Sequence, residues 1–427
     1  MRRLLLSLLI ALLPLPALAG DGRDVMLTWY KLVLELVRHT PTYSPPVASR
    51  AFAYLGVTSY EVMASGRPEM QSLAGQLTDL APLPAPAGVV DEGVVMHAAL
   101  AQSVRAFFGN TGPSGQQAMD RMDDALRAAV VAGLPDAVVA RSAAHGRAIA
   151  GAIWLWSEAD GGAVVQNMGF PREHSVSTKP GAWVPTSRIV QQQAPLLPDW
   201  GRNRTFAMPA GTTCGLPPPM DYSEESGSAF MLQAREVHDI TARLTDEQKT
   251  IARFWADDPM LSPTPPGHWI SIALTLIAAE NLNGPQAADI LARVGVSLAD
   301  SFIGCWATKF QYDTVRPVTV IKALIDPTWE PLLITPPFPE YPSGHSTQSG
   351  AAAAVLTAIF GAAHAFDDPT HEDDGMPTRH YPSFRAAAEE AAMSRLYGGI
   401  HFRAAIEQGL AQGECIGAYS VALRTLE

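Results

Sequence analysis

The sequence predicts an all-α fold: two packed four-helix-type bundles joined by long Pro/Gly-rich loops. Three observations lead there. Apolar residues recur at three-to-four spacing along most of the 427 residues, the segments that carry them are rich in Ala and Leu, and strand-like alternation is scarce, with no βαβ pattern. In the first half the spacing predicts helices over 25–38, 47–64, 92–108, 115–132 and 137–158, with 66–86 a Pro/Gly-punctuated connection. Residues 161–222 break the pattern with recurring Pro and Gly. They read as a long irregular loop ordered by Trp183, Trp200 and Phe206 packing onto the helices. Helices resume over 225–237, 245–255, 269–280, 285–315, 346–363, 383–397 and 401–424. The division expected is a leader, 1–20, and one helical domain, 21–427, with an N-terminal half 21–230 and a catalytic half 231–427.

The leader rests on Arg2 and Arg3 ahead of an apolar run, 4–13, and on Ala17-Leu18-Ala19 as a small-residue cleavage site. Pro14 and Pro16 break the run, which is too short for a membrane anchor. No later stretch approaches about 20 uninterrupted apolar residues. A soluble, secreted or periplasmic protein with no membrane span after cleavage is therefore expected. Removing the two leader arginines takes the net charge from −12 to −14, because residues 1–20 hold no acid. Thirty Lys+Arg against 42 Asp+Glu argues against nucleic acid or an anionic membrane as partner. A small anion needs only a local group of cations, so it stays open. Cys214, Cys305 and Cys415 form no metal-binding spacing and read as buried free thiols or one optional disulfide.

Three segments carry chemistry. In Lys309-Phe-Gln-Tyr-Asp-Thr-Val-Arg316-Pro317 the two cations stand seven apart, so one helix would point both the same way. Pro317 ends or bends that helix beside Arg316. A point charge and a planar fork together suit a tetrahedral oxyanion, although alone such a pair is usually a solvated face. In Phe338-Pro-Glu-Tyr-Pro-Ser343-Gly344-His345 a Pro-Ser-Gly break precedes a helix. Ser343 would donate its hydroxyl, Gly344 would let a ligand reach backbone N–H groups, and His345 would sit where a proton shuttle belongs. An ordinary helix cap with a surface histidine is the plainer reading. No G-x-S-x-G elbow is present, which excludes the usual serine-hydrolase arrangement. In Ser394-Arg395-Leu-Tyr-Gly-Gly-Ile-His401 the glycines end one helix near Arg395, and His401 opens the next.

Lys-x6-Arg-Pro, then Pro-Ser-Gly-His, then Ser-Arg-x5-His resembles the shared signature of vanadium-dependent haloperoxidases and type-2 phosphatidic acid phosphatases. The resemblance spans at least 253–403. Pro180-Gly-Ala-Trp-Val-Pro185 and Leu197-Pro-Asp-Trp-Gly201 extend it toward bacterial secreted haloperoxidase homologues. It implies that Lys309, Arg316, Arg395, Ser343 and Gly344 hold the oxygens of vanadate or phosphate. It further implies that His401 ligates vanadium or acts as phosphoryl nucleophile, that His345 is the acid–base, and that an acid of 254–258, Asp258 rather than Asp257, pairs with Arg395. Trp306 and Phe338 resemble aromatics of the halide pocket, though core packing explains aromatics equally well. Hydrogen peroxide, a halide and small organic acceptors would be the partners, vanadate the cofactor, and a homodimer the assembly.

The phosphatases place an aspartate four residues after the histidine matching His401. Here that position is Ala405, which favours a haloperoxidase over an exported acid phosphatase. A non-enzymatic oxyanion-binding protein ranks third, since it needs no paired histidines. The acidic stretch Asp367-Asp-Pro-Thr-His371-Glu-Asp-Asp374 lacks calcium-loop spacing and reads as a solvated loop. His268 is a candidate neighbour of the pocket.

Overall fold

The computed structural model describes residues 21–187 and 189–426, so the predicted leader lies outside the described residues. The N-terminal half forms helices α1 (Gly22–His39), α2 (Pro45–Ala64), α3 (Glu92–Phe107), α4 (Pro113–Val130) and α5 (Asp136–Glu158), then the single turn α6 (Gly162–Val165). The second half forms α7 (Ala229–Thr241), α8 (Asp246–Phe254), α9 (Thr264–Ala279), α10 (Gly284–Tyr312), α11 (Pro317–Leu324) and α12 (Gly344–Phe360), closing with α13 (Phe384–Tyr397) and α14 (Arg403–Val421). A two-stranded antiparallel hairpin, β1 (Phe366–Asp368) with β2 (Arg379–Tyr381), lies between α12 and α13. The all-α class read from the sequence is the class observed.

Helix α10 is the axis of the molecule, packing on α2 along one side and on α12 and α14 along the other. Asn283 and Gln286 form a capping box that starts it. Its crossing with α2 depends on Gly295, where a Cβ would stand 2.7 Å from the Phe52 carbonyl. The α12–α14 crossing is tighter still, with a Cβ on Gly413 falling 2.1 Å from the Thr347 carbonyl. Small residues thus let these backbones touch, which accounts for the Ala-rich segments. By length and hydropathy α10 could cross a membrane, but 89% of its most apolar window is buried against the other helices. It is a core helix. One apolar cluster runs from Val25 to Leu423, and a smaller one gathers Phe230, Val320, Leu396 and Ile406 beneath α7, α11 and α14.

In the long loop Trp183, Trp200 and Phe206 are buried, as its composition suggested. Asp300 on α10 clamps it by accepting the N–H groups of Phe206, Ala207 and Met208 at 2.7, 2.9 and 2.8 Å. A disulfide joins Cys214 to Cys415 across 201 residues, while Cys305 is free and buried.

Several elements depart from the sequence reading. The helix expected over 285–315 stops at Tyr312, because Asp313 turns left-handed at φ 49° as its cap. The chain then runs extended to Arg316, which caps the unforeseen α11. Lys309 and Arg316 therefore do not share a helix. The last helix begins at Arg403, leaving His401 in the link between α13 and α14. Helix α9 starts at Thr264, so His268 lies inside it. The hairpin was not foreseen either.

Candidate active site

The three motif segments converge at the floor of a cavity of about 950 Å³. Gly344, His345, Arg395, His401, Trp306, Phe338 and Asp258 line it. Lys309, Arg316 and Ser343 are fully buried immediately behind that lining.

Arg316 reaches its position from the short extended link between α10 and α11. Glu340 donates its N–H to the Thr314 carbonyl (3.0 Å) and Tyr341 to the Thr314 hydroxyl (2.9 Å), tying 314–316 to the segment that leads into α12. The guanidinium donates through Nε to the Phe338 carbonyl (2.8 Å) and through Nη1 to the Ile400 carbonyl (2.9 Å) and His401 Nε2 (3.2 Å). Its Nη2 is buried without a partner among the described residues. Arg395, in the last turn of α13, donates Nη1 to the Trp255 carbonyl (2.8 Å) and leaves Nε unpartnered. Lys309 is spent differently: its ammonium donates to the carbonyls of Pro339, Glu340 and Pro342, bracing the loop that carries Ser343 and Gly344.

Ser343 caps α12, its hydroxyl accepting the Ser346 N–H. A Cβ on Gly344 would meet only Trp306 at 3.7 Å and Phe302 at 3.8 Å, so packing does not demand glycine there. What the missing side chain leaves is bare backbone facing the cavity at a helix N-terminus. The Trp306 and Phe338 rings stand 4.9 Å apart, with Lys309 Nζ 5.1 Å and the Arg316 guanidinium 4.9 Å from the Phe338 ring. These aromatics both pack and line the cavity.

Glu340 was missed by sequence reasoning and is central here. Its Oε1 accepts from His401 Nδ1 (2.9 Å) and from the Phe402 N–H (2.8 Å). With Nδ1 donating, Nε2 carries the lone pair and accepts from Arg316. Ala405 therefore does not leave His401 without a carboxylate: Glu340, four residues before α12, orients the ring in place of an acid one turn along α14. Ala405 itself is buried, and its carbonyl accepts the Ser343 N–H.

Burial pushes Arg316 down to about 9, Arg395 to about 10 and Lys309 to about 7, with too little negative charge nearby to offset it. Burial likewise raises the Glu340 carboxyl to about 7. Burial, then the Arg316 and Lys309 charges, hold His401 neutral; burial and Arg395 do the same for His345. His345 Nε2 has no partner among the described residues. Burial raises the Asp258 carboxyl, and Arg395 opposes it. Among the described residues no ion pair joins Arg395 to Asp258 or to Asp257; its guanidinium donates to the Trp255 carbonyl instead. Asp257 is engaged elsewhere, accepting from His268 Nδ1 and His371 Nε2. His268 is fully buried behind the cavity wall and does not line it. The solvated reading of 367–374 fails in part. Asp368 is fully buried on His268, and Asp374 is tied to Arg38 and His371.

Three buried basic side chains, two guanidinium nitrogens without partners among the described residues, bare helix-start backbone and two neutral histidines make a set of groups that suits a compact oxyanion beside an acid–base group. The comparisons with known proteins narrow this further. A crystal structure of a bacterial vanadium-dependent iodoperoxidase matches with a TM-score of 0.86 and 35% identity, over 95% of this chain and 97% of that one. The chain belongs to the vanadium-dependent haloperoxidases. The model of the second helical-bundle domain of vanadium chloroperoxidase matches residues 289–328 and 323–425. The vanadium-dependent bromoperoxidase of Ascophyllum nodosum is 36% identical over 94 residues, and the vanadium chloroperoxidase of Curvularia inaequalis 24% over 211. Those matches cover 19% and 35% of this chain and span only 17% and 35% of the two enzymes. A bacterial vanadium-dependent chloroperoxidase shares the fold at 16% identity, with a TM-score of 0.65 over 94% of this chain and 92% of that one.

Proposed function

We propose that the chain oxidises halide with hydrogen peroxide, using vanadate held at the cavity floor. The observation that carries this is the lone pair of His401 Nε2, fixed by Glu340 on the opposite nitrogen and ringed by buried cations with spare donors. These groups fit vanadate. His401 Nε2 would ligate the metal, and Arg316, Arg395, the Ser343 hydroxyl and the Gly344 N–H would hold its oxygens, with Lys309 bracing the Ser343–Gly344 loop and adding its charge from behind. When bound, vanadate supplies a Lewis-acidic centre that makes peroxide a two-electron oxidant without changing its own oxidation state.

The protein's part is acid–base and positional. His345, neutral and with Nε2 unpartnered, accepts a proton from incoming peroxide and later returns it to the departing oxygen. Overall, peroxide, halide and one proton give hypohalous acid and water. Trp306 and Phe338 form an apolar wall that sheds water from the halide. Small organic acceptors would meet the hypohalous acid in the outer cavity, beside Phe170, Leu261 and Ile334. Export to the periplasm or beyond is part of the proposal, supported by the leader-like N-terminus and by the Cys214–Cys415 disulfide, which persists in oxidising compartments.

A second reading, acid phosphatase, is favoured by one observation: Glu340 on Nδ1 is what a nucleophilic His401 needs. Orthovanadate-loaded protein is assayed for peroxide-dependent iodide and bromide oxidation, and vanadate-free protein for phosphomonoester hydrolysis. Halide oxidation that requires vanadate is expected. Phosphomonoester turnover without halide oxidation would reverse the order of the two readings.

A further inference from the structure

Beside the cavity, sharing Asp257 with its wall, lies a buried cluster that halide chemistry does not use. Asp257 sits on the link between α8 and α9, His268 in the first turns of α9, and His371 on the loop after β1. Asp257 Oδ2 is 2.9 Å from His268 Nδ1, Asp257 Oδ1 is 3.2 Å from His371 Nε2, and the three ligand-type atoms all fall within 4.8 Å of one another. Each histidine has its other nitrogen on a further carboxylate. His268 Nε2 is 2.8 Å from Asp368 Oδ2, and His371 Nδ1 is 3.1 Å from Asp374 Oδ2. Aromatic walls close the space: Trp255 stacks on His268 at 4.3 Å, and Phe254 meets both imidazoles edge-on at 5.3 and 5.2 Å.

We infer that Asp257, His268 and His371 form a second metal site, for a divalent cation of the zinc type, distinct from the oxyanion pocket. Two imidazoles and one carboxylate are a donor set that zinc accepts, and a fourth position would be filled by water. The outer carboxylates make the case stronger than the triad alone. Metal-ligating histidines nearly always pass their other N–H to a carboxylate, carbonyl or water, which fixes the tautomer and strengthens the ligand. Here both do so. With both imidazoles neutral, as metal ligands must be, charge points the same way: Asp257, Asp368 and Asp374 then face one directly paired arginine, Arg38. A dication would offset that excess. The consequence would be structural: the ion ties the hairpin loop to the link whose Ala256, Asp257 and Asp258 wall the active cavity, and whose Trp255 carbonyl holds Arg395.

The test uses the full mature chain, stripped with chelator, incubated with zinc, desalted, and measured for zinc by mass spectrometry. About one zinc per chain is expected in the wild type and in His401→Ala, and under a tenth in a folded His371→Ala. Asp374→Asn, which touches only the outer partner, should weaken zinc binding about 10- to 100-fold. Zinc-edge X-ray absorption should show two imidazole nitrogens at about 2.0–2.1 Å. Less than a tenth of a zinc in the wild type overturns the proposal and leaves an ion-pair network of protonated histidines. Zinc lost in His401→Ala but kept in His371→Ala overturns it by locating the ion in the main cavity. Zinc content is read without the halide assay, so a failure of the halide reading leaves these outcomes unchanged.

Discussion

Glu340→Gln tests the positioning of His401 most cleanly. In the native chain one carboxylate oxygen serves both the His401 Nδ1–H (2.9 Å) and the Phe402 N–H (2.8 Å), fully buried. At pH 8, above the value of about 7 to which burial raises Glu340, glutamine keeps an acceptor of the same shape and removes the charge. A hydrogen bond to a charged group contributes about 1.5–3 kcal/mol against about 0.5–1.5 for a neutral one, so the loss is about 1–1.5 kcal/mol. That corresponds to about a tenfold weaker hold on orthovanadate. Glu340→Ala orphans both donors at about 1–3 kcal/mol each and should cost a hundredfold or more. Calorimetric titration of metal-free protein with orthovanadate reads both dissociation constants, with circular dichroism checking the fold. Because peroxide and halide do not touch Glu340, turnover at saturating vanadate should fall much less than affinity. Affinities within twofold of wild type for both variants would refute the idea that Glu340 orients the ligand nitrogen.

Three further outcomes follow from the same structure. The Cys214–Cys415 bridge closes a span of 201 residues, for which loop-closure entropy gives about 5 kcal/mol. At about 2.1 cal/mol/K per residue, the Cys214→Ala/Cys415→Ala pair should melt about 6 °C lower by scanning calorimetry; an unchanged Tm would mean the bridge constrains little. His345 and His401 are both held neutral by burial and neighbouring cations. As pH falls below about 6.5 the unfolded chain takes up their protons before the folded one does. Vanadate-free protein should therefore lose stability on acidification, and His345→Ala should flatten that slope in pH-dependent urea titrations. Orthovanadate at about 100 times its dissociation constant should add about 2.7 kcal/mol, or about 3 °C in Tm, and His401→Ala should abolish that gain.

The parts of the site that were legible in the sequence are those whose chemistry is local. Pro-Ser-Gly-His before an apolar run signals a helix start, and the α12 cap is where that pattern put it. Gly398-Gly399 ends α13 beside Arg395, with Gly399 at φ 76°. What stayed hidden depends on chain geometry between elements. Spacing put Lys309 and Arg316 on one helical face. They converge instead because Asp313 ends α10 and Pro317 forces the residue before it into extended backbone. Glu340 left one usable trace, as the lone acid between Glu330 and Asp367, inside a Pro-rich apolar stretch where an unpaired carboxylate would be costly. The Asp257–His268–His371 cluster had none, for its members come from three segments that only the tertiary fold assembles. Asp368 and Asp374 looked solvated because a run of acids usually is. Two of them instead face buried histidines.

The central claim is that His401 ties an oxyanion cofactor to halide oxidation. Its most direct test is peroxide-dependent iodide oxidation by vanadate-free protein, measured before and after adding orthovanadate, for wild type and His401→Ala. The account predicts activity that appears in the wild type only after orthovanadate is added and stays absent in His401→Ala at every vanadate concentration. Equal activity in the two proteins, or wild-type activity indifferent to vanadate, would contradict it.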